Sequence, residues 1–389
     1  MNSDIPLQLL GGLTAREFLR DYWQKKPLLI RQAIPDFESP IDADELAGLA
    51  LEEEVESRLV IEHGERPWEL RRGPFAEDEF SKLPEKEWTL LVQAVDQFVP
   101  EVSELLENFR FLPSWRVDDV MISFAAPGGS VGPHFDNYDV FLLQGYGKRN
   151  WKIGQMCDSE SPLLQHADLR ILAEFHETEE WVLEPGDMLY LPPRLAHCGV
   201  AVDNCMTYSV GFRAPSAAEV LTHFTDFLSQ FLTDEERYTD ADAKPAVDPH
   251  QIQHDALDRL KSLLAEHMSD ERLLLTWFGQ YMTEPRYPEL VVGPEDVEEE
   301  DFLAALQDGA VLIRNPSARL AWSEVDDDLL LFASGQSRYL PGKLRELLKL
   351  ICAADALHAD NLGEWLSDED GRSLLCELVK QGSLGFADE

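Results

Sequence analysis

The spacing of apolar positions divides the chain into regions with different periods. Between Val117 and Arg213, short β-branched and aromatic runs alternate with Gly, Pro and Asp turns. Many short strands at this spacing predict a β-barrel or sandwich. From Ile41 to about Phe111, apolar residues recur every three or four positions, and this period predicts helices packed around a core.

A helix start signal marks the point where the strand pattern ends. Ser216 is followed three residues later by Glu219, which is the spacing of a capping box. The apolar stripe after it consists of Val220, Leu221, Phe224, Phe227, Leu228, Phe231 and Leu232. A stripe this broad favours burial, either against the barrel of the same chain or in a symmetric interface with a second copy. Periodicity alone leaves both alternatives open.

The C-terminal part of the chain mixes the two periods. An acidic helical stretch begins near Val297, strand patterns follow it, and helical patterns return from Gly342 onward. This order predicts a small α+β unit, for which a winged-helix topology is suitable. The predicted organisation is therefore a β-rich domain at 1–215, a helical region at 216–285 and an α+β domain at 286–389.

Charge is the feature of the composition that changes this picture most. The 389 residues include 33 Lys and Arg against 74 Asp and Glu, which gives a formal net charge of −41. Such a field repels phosphate backbones and attracts cationic partners, so it disfavours direct binding of nucleic acid. Solubility or salt adaptation would explain the same charge equally well.

The sequence lacks signals for a membrane or an oxidising compartment. No apolar run reaches the roughly 20 residues of a transmembrane helix. The five cysteines include no CxxC pair, which argues against a disulfide framework and against a thiolate zinc site. We therefore expect a cytoplasmic protein with reduced thiols.

The stretch from Pro127 to Gly154 contains the most informative polar residues. His134 and Asp136 are two positions apart, so on a strand both side chains point to the same face. His197 follows a Pro-Gly-Asp turn and a further strand, and it is the candidate third ligand. Two histidines and one carboxylate are typical of non-haem iron(II) oxygenases, although a hydrolytic zinc site could use the same ligands. The flanking turns agree with a cupin-type double-stranded barrel and favour a metal site.

Arg149 is a candidate for binding a carboxylate. It lies past the Gly145–Gly147 turn on a returning strand, where its fork of donors could bind a carboxylate with two hydrogen bonds. The alternative is a surface cation, and the neighbouring Lys148 fits that description better. Ser123 and Ser209 could add hydroxyl hydrogen bonds, although serines inside strands more often bond locally.

Several motifs together resemble one known family. They are FLRDYWQKKPLLI, HFD, GYGKRNWKIG, EPGDMLYLPPRLAH and MTYSVGFRAP. Over nearly its whole length the chain resembles the JmjC-domain ribosomal oxygenases, in particular the bacterial 50S ribosomal protein arginine hydroxylases. The resemblance implies a mixed α/β protein: a JmjC (cupin-like) double-stranded β-helix with flanking helices, a helical dimerisation region and a winged-helix-like C-terminal domain.

The resemblance also implies a cofactor set. It places iron(II) on His134, Asp136 and His197, and it places the distal carboxylate of the co-substrate 2-oxoglutarate on Arg149, where many relatives have lysine. The implied activity is that of a dioxygenase. It uses O2 to hydroxylate an arginine side chain of a large-subunit ribosomal protein and converts 2-oxoglutarate to succinate and CO2.

An arginine substrate requires acceptors, because a guanidinium group carries donors only. The candidates at the mouth of the predicted barrel are Asp118, Asp119, Asp139 and Tyr146. The alternatives are a histidyl hydroxylase of another ribosomal protein and a non-catalytic cupin-type metal-binding scaffold. The expected partners are a basic ribosomal protein and a second copy of the chain, with no nucleic acid or membrane.

Overall fold

The computed structural model describes residues 4–63, 67–166, 168–294, 297–354 and 356–387. Two compact units, 1–214 and 215–389, make up the chain. The outer ends of the predicted domains, Met1 and Glu389, lie outside the described residues. No helix in the described ranges is both long enough and apolar enough to cross a membrane.

Two antiparallel sheets dominate the first unit. Its strands are β1 (Leu28–Ile30), β2 (Ser57–His63), β3 (Pro67–Arg72), β4 (Trp88–Val92), β5 (Val117–Ala125), β6 (Val140–Tyr146), β7 (Arg149–Met156), β8 (Glu179–Leu183), β9 (Met188–Leu191), β10 (Leu195–Ala201) and β11 (Cys205–Phe212). In the described residues, one sheet has the order β1-β9-β6-β11-β5-β4-β2-β3 and the other β10-β7-β8. The predicted strand region therefore coincides with β5 to β11.

The stretch from 41 to 111 is less helical than its periodicity predicts. Its helices are α2 (Ala43–Leu49), α3 (Glu77–Phe80) and α4 (Pro100–Ser103), while α1 (Ala15–Asp21) precedes it. The strands β2, β3 and β4 lie in the same stretch and extend the large sheet. The mostly helical prediction was wrong because a short continuous apolar run such as WTLLV has the same hydrophobicity whether it forms a buried strand or a buried helix.

The large sheet is covered on both faces, and this places the barrel interior. On β6, Phe141 and Leu143 belong to the main apolar core with the N-terminal helices, whereas Val140 and Leu142 pack with Trp151 of the smaller sheet. Side chains alternate between the faces of a strand, so β6 is buried on both sides and its sequence is continuously apolar. The space between the two sheets is the interior of the barrel.

The second unit combines helices with two small sheets. Its helices are α5 (Ala217–Ser229), α6 (His254–Met268), α7 (Glu271–Thr283), α8 (Glu299–Gln307), α9 (Arg345–Ala353), α10 (Ala359–Leu362) and α11 (Glu369–Lys380). Its strands are β12 (Leu312–Arg314), β13 (Leu320–Val325), β14 (Asp328–Ala333), β15 (Gln336–Pro341), β16 (Ala356–Leu357) and β17 (Leu384–Phe386). The sheet orders are β16-β12-β17 and β13-β14-β15.

Helix α7 joins the predicted helical region to the α+β region. The capping box of Ser216 and Glu219 at the start of α5 is present, as predicted. Phe224 of α5 packs on Trp277 of α7 at a ring distance of 5.3 Å. Further along α7, Gly279 lies against the ring of Phe332 on β14. The boundary at 285 between two separate domains therefore stays a prediction.

Candidate metal centre

The three predicted metal ligands lie next to one another inside the first unit. His197 is on β10, and His134 lies in the segment between β5 and β6. The two residues form an antiparallel bridge in which each backbone N–H donates to the carbonyl of the other, at 3.0 and 2.8 Å. Potential ligand atoms of His134, Asp136 and His197 all lie within 4.8 Å of one another. This spacing suits three ligands on one face of a metal ion.

Backbone carbonyls orient both imidazole rings. The Nδ1 atom of His134 is 2.9 Å from the carbonyl oxygen of Gly132, and Nδ1 of His197 is 3.0 Å from that of Leu195. A carbonyl oxygen only accepts, so each Nδ1 carries the proton and each Nε2 presents a lone pair. Burial and the adjacent His134 lower the pKa of His197 to about 4. The ring is therefore neutral near pH 7, as metal binding requires.

A cavity of about 280 Å³ adjoins the triad. Its walls come from both sheets and include Ser123 of β5, Leu142 of β6, Arg149 of β7 and Ser209 of β11. Apolar side chains form most of the wall surface, and about half of the lining residues contribute polar groups to the space between them. This composition is typical of a site for a small organic molecule beside a metal.

Arg149 lies in this cavity as an incompletely paired charge. The residue is 3% exposed, and it donates from Nη1 to the Ser123 hydroxyl at 3.2 Å and from Nη2 to the Gly199 carbonyl at 3.3 Å. Its Nε has no hydrogen-bond partner, and no carboxylate in the described part of the chain pairs with it. Burial lowers the pKa of Arg149. A buried cation without a counterion is costly, so the cavity fits an anionic ligand such as a carboxylate.

Trp151 and Gly199 hold the guanidinium of Arg149 in place. The guanidinium carbon is 4.9 Å from the ring centroid of Trp151, which is two positions away on the same face of β7. A Cβ atom at Gly199 would lie 2.6 Å from Nε of Arg149 and 2.7 Å from the Trp151 ring. Glycine is therefore required at 199 for this packing. Neither residue was a candidate from the sequence, although a glycine inside a strand is a recognised sign of close approach.

Comparison with known proteins agrees with this geometry. A family model described as "JmjC domain" matches residues 104–220, and one described as "ROXA-like winged helix" matches residues 266–385. The Escherichia coli K12 "Ribosomal protein uL16 3-hydroxylase" is 37% identical over 94% of this chain and 96% of its own length. This chain belongs to the JmjC-domain ribosomal oxygenases. The resemblance stated from the motifs is thus confirmed.

Other relatives and solved structures support the same assignment. A "Probable ribosomal oxygenase" of Haemophilus influenzae is 35% identical over 86% of this chain and 84% of its own length. The crystal structure of E. coli YcfD has a TM-score of 0.86, with 37% identity over 96% of this chain and 98% of that chain. A YcfD complex with cobalt and 2-oxoglutarate has a TM-score of 0.85, with 36% identity over 97% and 99% of the two chains. The predicted fold class, a JmjC barrel followed by a winged-helix domain, is confirmed.

The serines predicted to bind the co-substrate both face the cavity of this ribosomal oxygenase. Ser123 and Ser209 lie on the paired strands β5 and β11, and both line the cavity. The Ser123 hydroxyl accepts the hydrogen bond from Arg149, so the oxygen is already close to the proposed carboxylate position. Their part in binding a ligand stays a prediction.

None of the four predicted substrate residues lines the cavity. Asp139 is fully buried elsewhere, where its carboxylate accepts hydrogen bonds from Tyr190 at 2.7 Å and from Gln24 at 2.9 Å. Arg116 adds an ion pair with the same carboxylate at 3.5 Å. These contacts account for Asp139 within the fold, and they leave it no open path to a substrate.

The other three predicted substrate residues also have different surroundings. Asp118 pairs with Arg213 at 3.2 Å, and Asp119 accepts a hydrogen bond of 2.6 Å from the amide of Gln93. Tyr146 is 55% exposed at the end of β6. Their assignment to substrate binding stays a prediction.

Sequence reasoning missed several polar residues that do line the cavity. Tyr138 lies two positions after Asp136, so the same-face rule that grouped the triad could have included it. Thr89 and Arg58 lie on β4 and β2, in the stretch that was predicted to be helical. Within the part of the chain that the structure describes, the buried hydroxyl of Thr89 has no hydrogen-bond partner, so it could pair with a bound molecule.

Proposed function

We propose that this ribosomal oxygenase is an iron(II)- and 2-oxoglutarate-dependent dioxygenase that hydroxylates an arginine side chain of the large-subunit ribosomal protein uL16. The observation that carries the proposal is the pairing of two features in one cavity. His134, Asp136 and His197 converge as potential metal ligands, and the incompletely paired cation of Arg149 faces the same space. The name of the E. coli relative supports the choice of uL16.

The residues of this chain have distinct tasks in the proposed reaction. His134, Asp136 and His197 would hold the iron, with the two imidazoles oriented by their Nδ1–H bonds to backbone carbonyls. Iron with 2-oxoglutarate and O2 supplies the chemistry that hydroxylates a C–H bond and yields succinate and CO2. Arg149 would bind the distal carboxylate of 2-oxoglutarate with charge-assisted hydrogen bonds, helped by Ser123 and Ser209.

The cavity walls contribute by excluding water and orienting the co-substrate. Leu142, Trp151 and Ile171 surround the polar groups with apolar surface. In such surroundings the attraction between Arg149 and a carboxylate is stronger than in water. Arg149 and the apolar walls would thereby hold a dicarboxylate in one orientation.

The charge of the whole molecule suits the proposed partner. A protein of net charge −41 attracts a cationic polypeptide over a long range and speeds their encounter. Ribosomal proteins that bind RNA are such polypeptides, and we place the reaction in the cytoplasm, where ribosomes are assembled in bacteria. The same charge argues against direct binding of nucleic acid by this chain.

Homodimerisation is the remaining part of the proposal. On α5, Phe224 and Leu228 are buried and Leu221 is 52% exposed, and Phe231, two residues past the end of the helix, is 55% exposed. A symmetric contact between two copies would cover this exposed apolar surface. Light scattering over a dilution series tests it: a dimer that a Phe231→Asp variant dissociates is expected, and a constant mass of 44.1 kDa would reject the dimer.

Mass spectrometry of uL16 tests the activity. We expect that incubation with this protein, Fe(II) and 2-oxoglutarate adds the mass of one oxygen atom, and that peptide fragmentation places it on an arginine. Omission of 2-oxoglutarate, or use of a His134→Ala variant, should leave uL16 unmodified. The proposal is rejected if the wild-type protein leaves uL16 unmodified, and an oxygen on histidine instead would support the histidyl hydroxylase alternative.

A further inference from the structure

A second concavity, of about 450 Å³, lies beside the metal cavity. We call it the β3 groove. It is lined by Pro67, Trp68, Glu69, Leu70, Leu164, Gln165, His166 and Asp168. One wall is strand β3 and the other is a loop between β7 and β8. No function was assigned to these residues from the sequence.

The β3 groove lies next to the metal cavity and shares part of its lining. Leu70 lines both spaces, and the residues that directly follow Asp168 along the chain, from 169 to 171, line the metal cavity. The loop therefore separates the two spaces with a single short segment. A polypeptide that placed one side chain in the cavity could continue along the groove.

The loop wall is fastened to the metal-binding segment. Leu163 and Leu172 form an antiparallel bridge at its base, and the backbone N–H of Leu172 donates to the Pro133 carbonyl at 2.8 Å. Pro133 directly precedes the proposed ligand His134. Nearer the tip, Nδ1 of His166 accepts hydrogen bonds from the backbone N–H groups of Asp168 and Leu169 at 3.1 and 3.0 Å. These contacts attach the base of the loop to the segment that carries His134.

The opposite wall has features of a peptide-binding edge. Strand β3 is the last strand of the large sheet, and among the described strands it pairs only with β2. An edge strand offers backbone donors and acceptors to an extended peptide. Trp68 has a φ of 57°. This left-handed conformation is unusual for a bulky residue, and such strain is concentrated at functional sites.

The charges of the β3 groove select a cationic occupant. Among the described residues, its lining contains the carboxylates of Glu69 and Asp168 and neither lysine nor arginine. Glu69 is paired with Arg71 at 2.8 Å, whereas Asp168 is exposed and has no ion-pair partner in the described residues, so Asp168 is the charge on which the groove relies. Trp68 adds an aromatic ring, to which a lysine or arginine side chain is attracted.

We propose that the β3 groove binds a basic, extended segment of the ribosomal protein substrate that flanks the hydroxylated residue. This inference rests on the proposed function, because it assigns the groove to the substrate of that reaction. Asp168 and Trp68 are then specificity residues that recognise lysine or arginine side chains beside the target. The loop that carries Asp168 places that segment relative to the metal.

The test compares two charge reversals in the same part of the chain. Asp168→Lys changes the groove, whereas Glu160→Lys makes the same change of net charge at an exposed position outside the lining. With purified full-length uL16 as substrate, Asp168→Lys should raise the KM for uL16 at least fivefold and lower kcat by less than twofold. Glu160→Lys should change the KM less than twofold, and Asp168→Asn should raise it by an intermediate factor.

Site-directed crosslinking adds a readout that does not depend on charge. A photoreactive phenylalanine analogue at Leu164, in the groove, should crosslink to uL16, whereas the same analogue at the exposed Val182 of β8 should not. The groove proposal is overturned if Asp168→Lys and Glu160→Lys raise the KM equally, if Asp168→Lys leaves it unchanged, or if Leu164 gives no crosslink. Hydroxylation of uL16 by the wild-type protein in these cases would leave the proposed function intact. A wild-type protein that does not modify uL16 would reject both.

Discussion

Two buried charges in the first unit, Asp139 and Arg149, are treated differently by the fold. Asp139 is fully buried and receives hydrogen bonds from Tyr190 and Gln24 and an ion pair from Arg116. Arg149 is 3% exposed, but it has only two hydrogen bonds longer than 3 Å and an Nε with no partner. The carboxylate of Asp139 is therefore paired within the fold, whereas the guanidinium of Arg149 is only partly paired.

We interpret Asp139 as a charge that stabilises the fold and Arg149 as a charge that binds a ligand. Burial raises the pKa of Asp139 and lowers the pKa of Arg149, so both groups are destabilised by desolvation. Only the carboxylate of Asp139 is compensated from within the chain. The partner that Arg149 lacks is an anion, and the adjoining cavity has room for one. The predictions below test this contrast.

The largest effect is expected at the triad, on which both the metal and the cavity depend. Replacing His134, Asp136 or His197 by Ala should abolish uL16 hydroxylation and Fe(II) binding, because each change removes a ligand. The melting temperature without metal should fall little, since the core of the first unit is formed by apolar side chains and not by these three polar groups. Turnover, metal content and thermal melting are the measurements. Wild-type activity in all three variants would refute the metal assignment.

The second-largest effect is a loss of stability when Asp139 is replaced. Asp139→Ala leaves Tyr190, Gln24 and Arg116 without their acceptor, and we expect a loss of about 3 kcal/mol in the free energy of unfolding. The matched control is Asp118→Ala, which breaks a more exposed ion pair and should cost less than about 1 kcal/mol. Denaturant unfolding measures both. A raised KM for uL16 with unchanged stability in Asp139→Ala would instead support its predicted role in substrate binding.

The next effect in size is a loss of affinity for 2-oxoglutarate when Arg149 is replaced. Arg149→Ala removes a charge-assisted contact worth about 1.5–3 kcal/mol, so the KM for 2-oxoglutarate should rise roughly 10- to 150-fold. Fe(II) affinity should change far less, and Arg149→Lys should restore part of the co-substrate affinity. Steady-state kinetics with 2-oxoglutarate as the varied substrate provides the test. An unchanged KM in the Ala variant would place the carboxylate site elsewhere.

The smallest effect concerns the packing around Arg149. In Gly199→Ala the new methyl group would clash with the guanidinium and with Trp151, and we expect the KM for 2-oxoglutarate to rise by up to about tenfold, or about 1.4 kcal/mol. Gly211→Ala is the control, because the nearest atom to its new Cβ lies 3.7 Å away. Equal behaviour of the two variants would show that Gly199 has no part in positioning Arg149.

The contrast between the two charges also explains which site residues could be predicted from the sequence. The spacing of His134 and Asp136 on one face, and the turn before His197, identified the triad because metal ligands follow simple rules of strand geometry. Asp139 was chosen as an acceptor because its position in the chain placed it at the mouth of the predicted barrel. Its partners Gln24 and Tyr190 are 115 and 51 positions away in the chain, and no local pattern reveals them.

Some strands of the fold could also be predicted from the sequence, and others could not. The strands β5 to β11 were identified because glycine, proline and aspartate turns separate them. The strands β2 and β4 were missed because each is buried on the large sheet and has a short apolar run without clear alternation. Because β2 and β4 lie in the stretch that was predicted to be mostly helical, Arg58 and Thr89 were not considered as cavity residues. Pairing of the edge strand β3 was equally beyond the reach of local patterns, so the groove beside it could not be predicted.

The most direct test of the contrast is the thermal stability of an Arg149→Met variant, with Co(II) in place of iron, with and without 2-oxoglutarate. Methionine fills similar space without a charge, so the variant should melt above the wild type when 2-oxoglutarate is absent. Added 2-oxoglutarate should raise the melting temperature of the wild type and leave that of the variant nearly unchanged. A variant that melts below the wild type and is still stabilised by 2-oxoglutarate would contradict the assignment of Arg149 as an unpaired, ligand-binding charge.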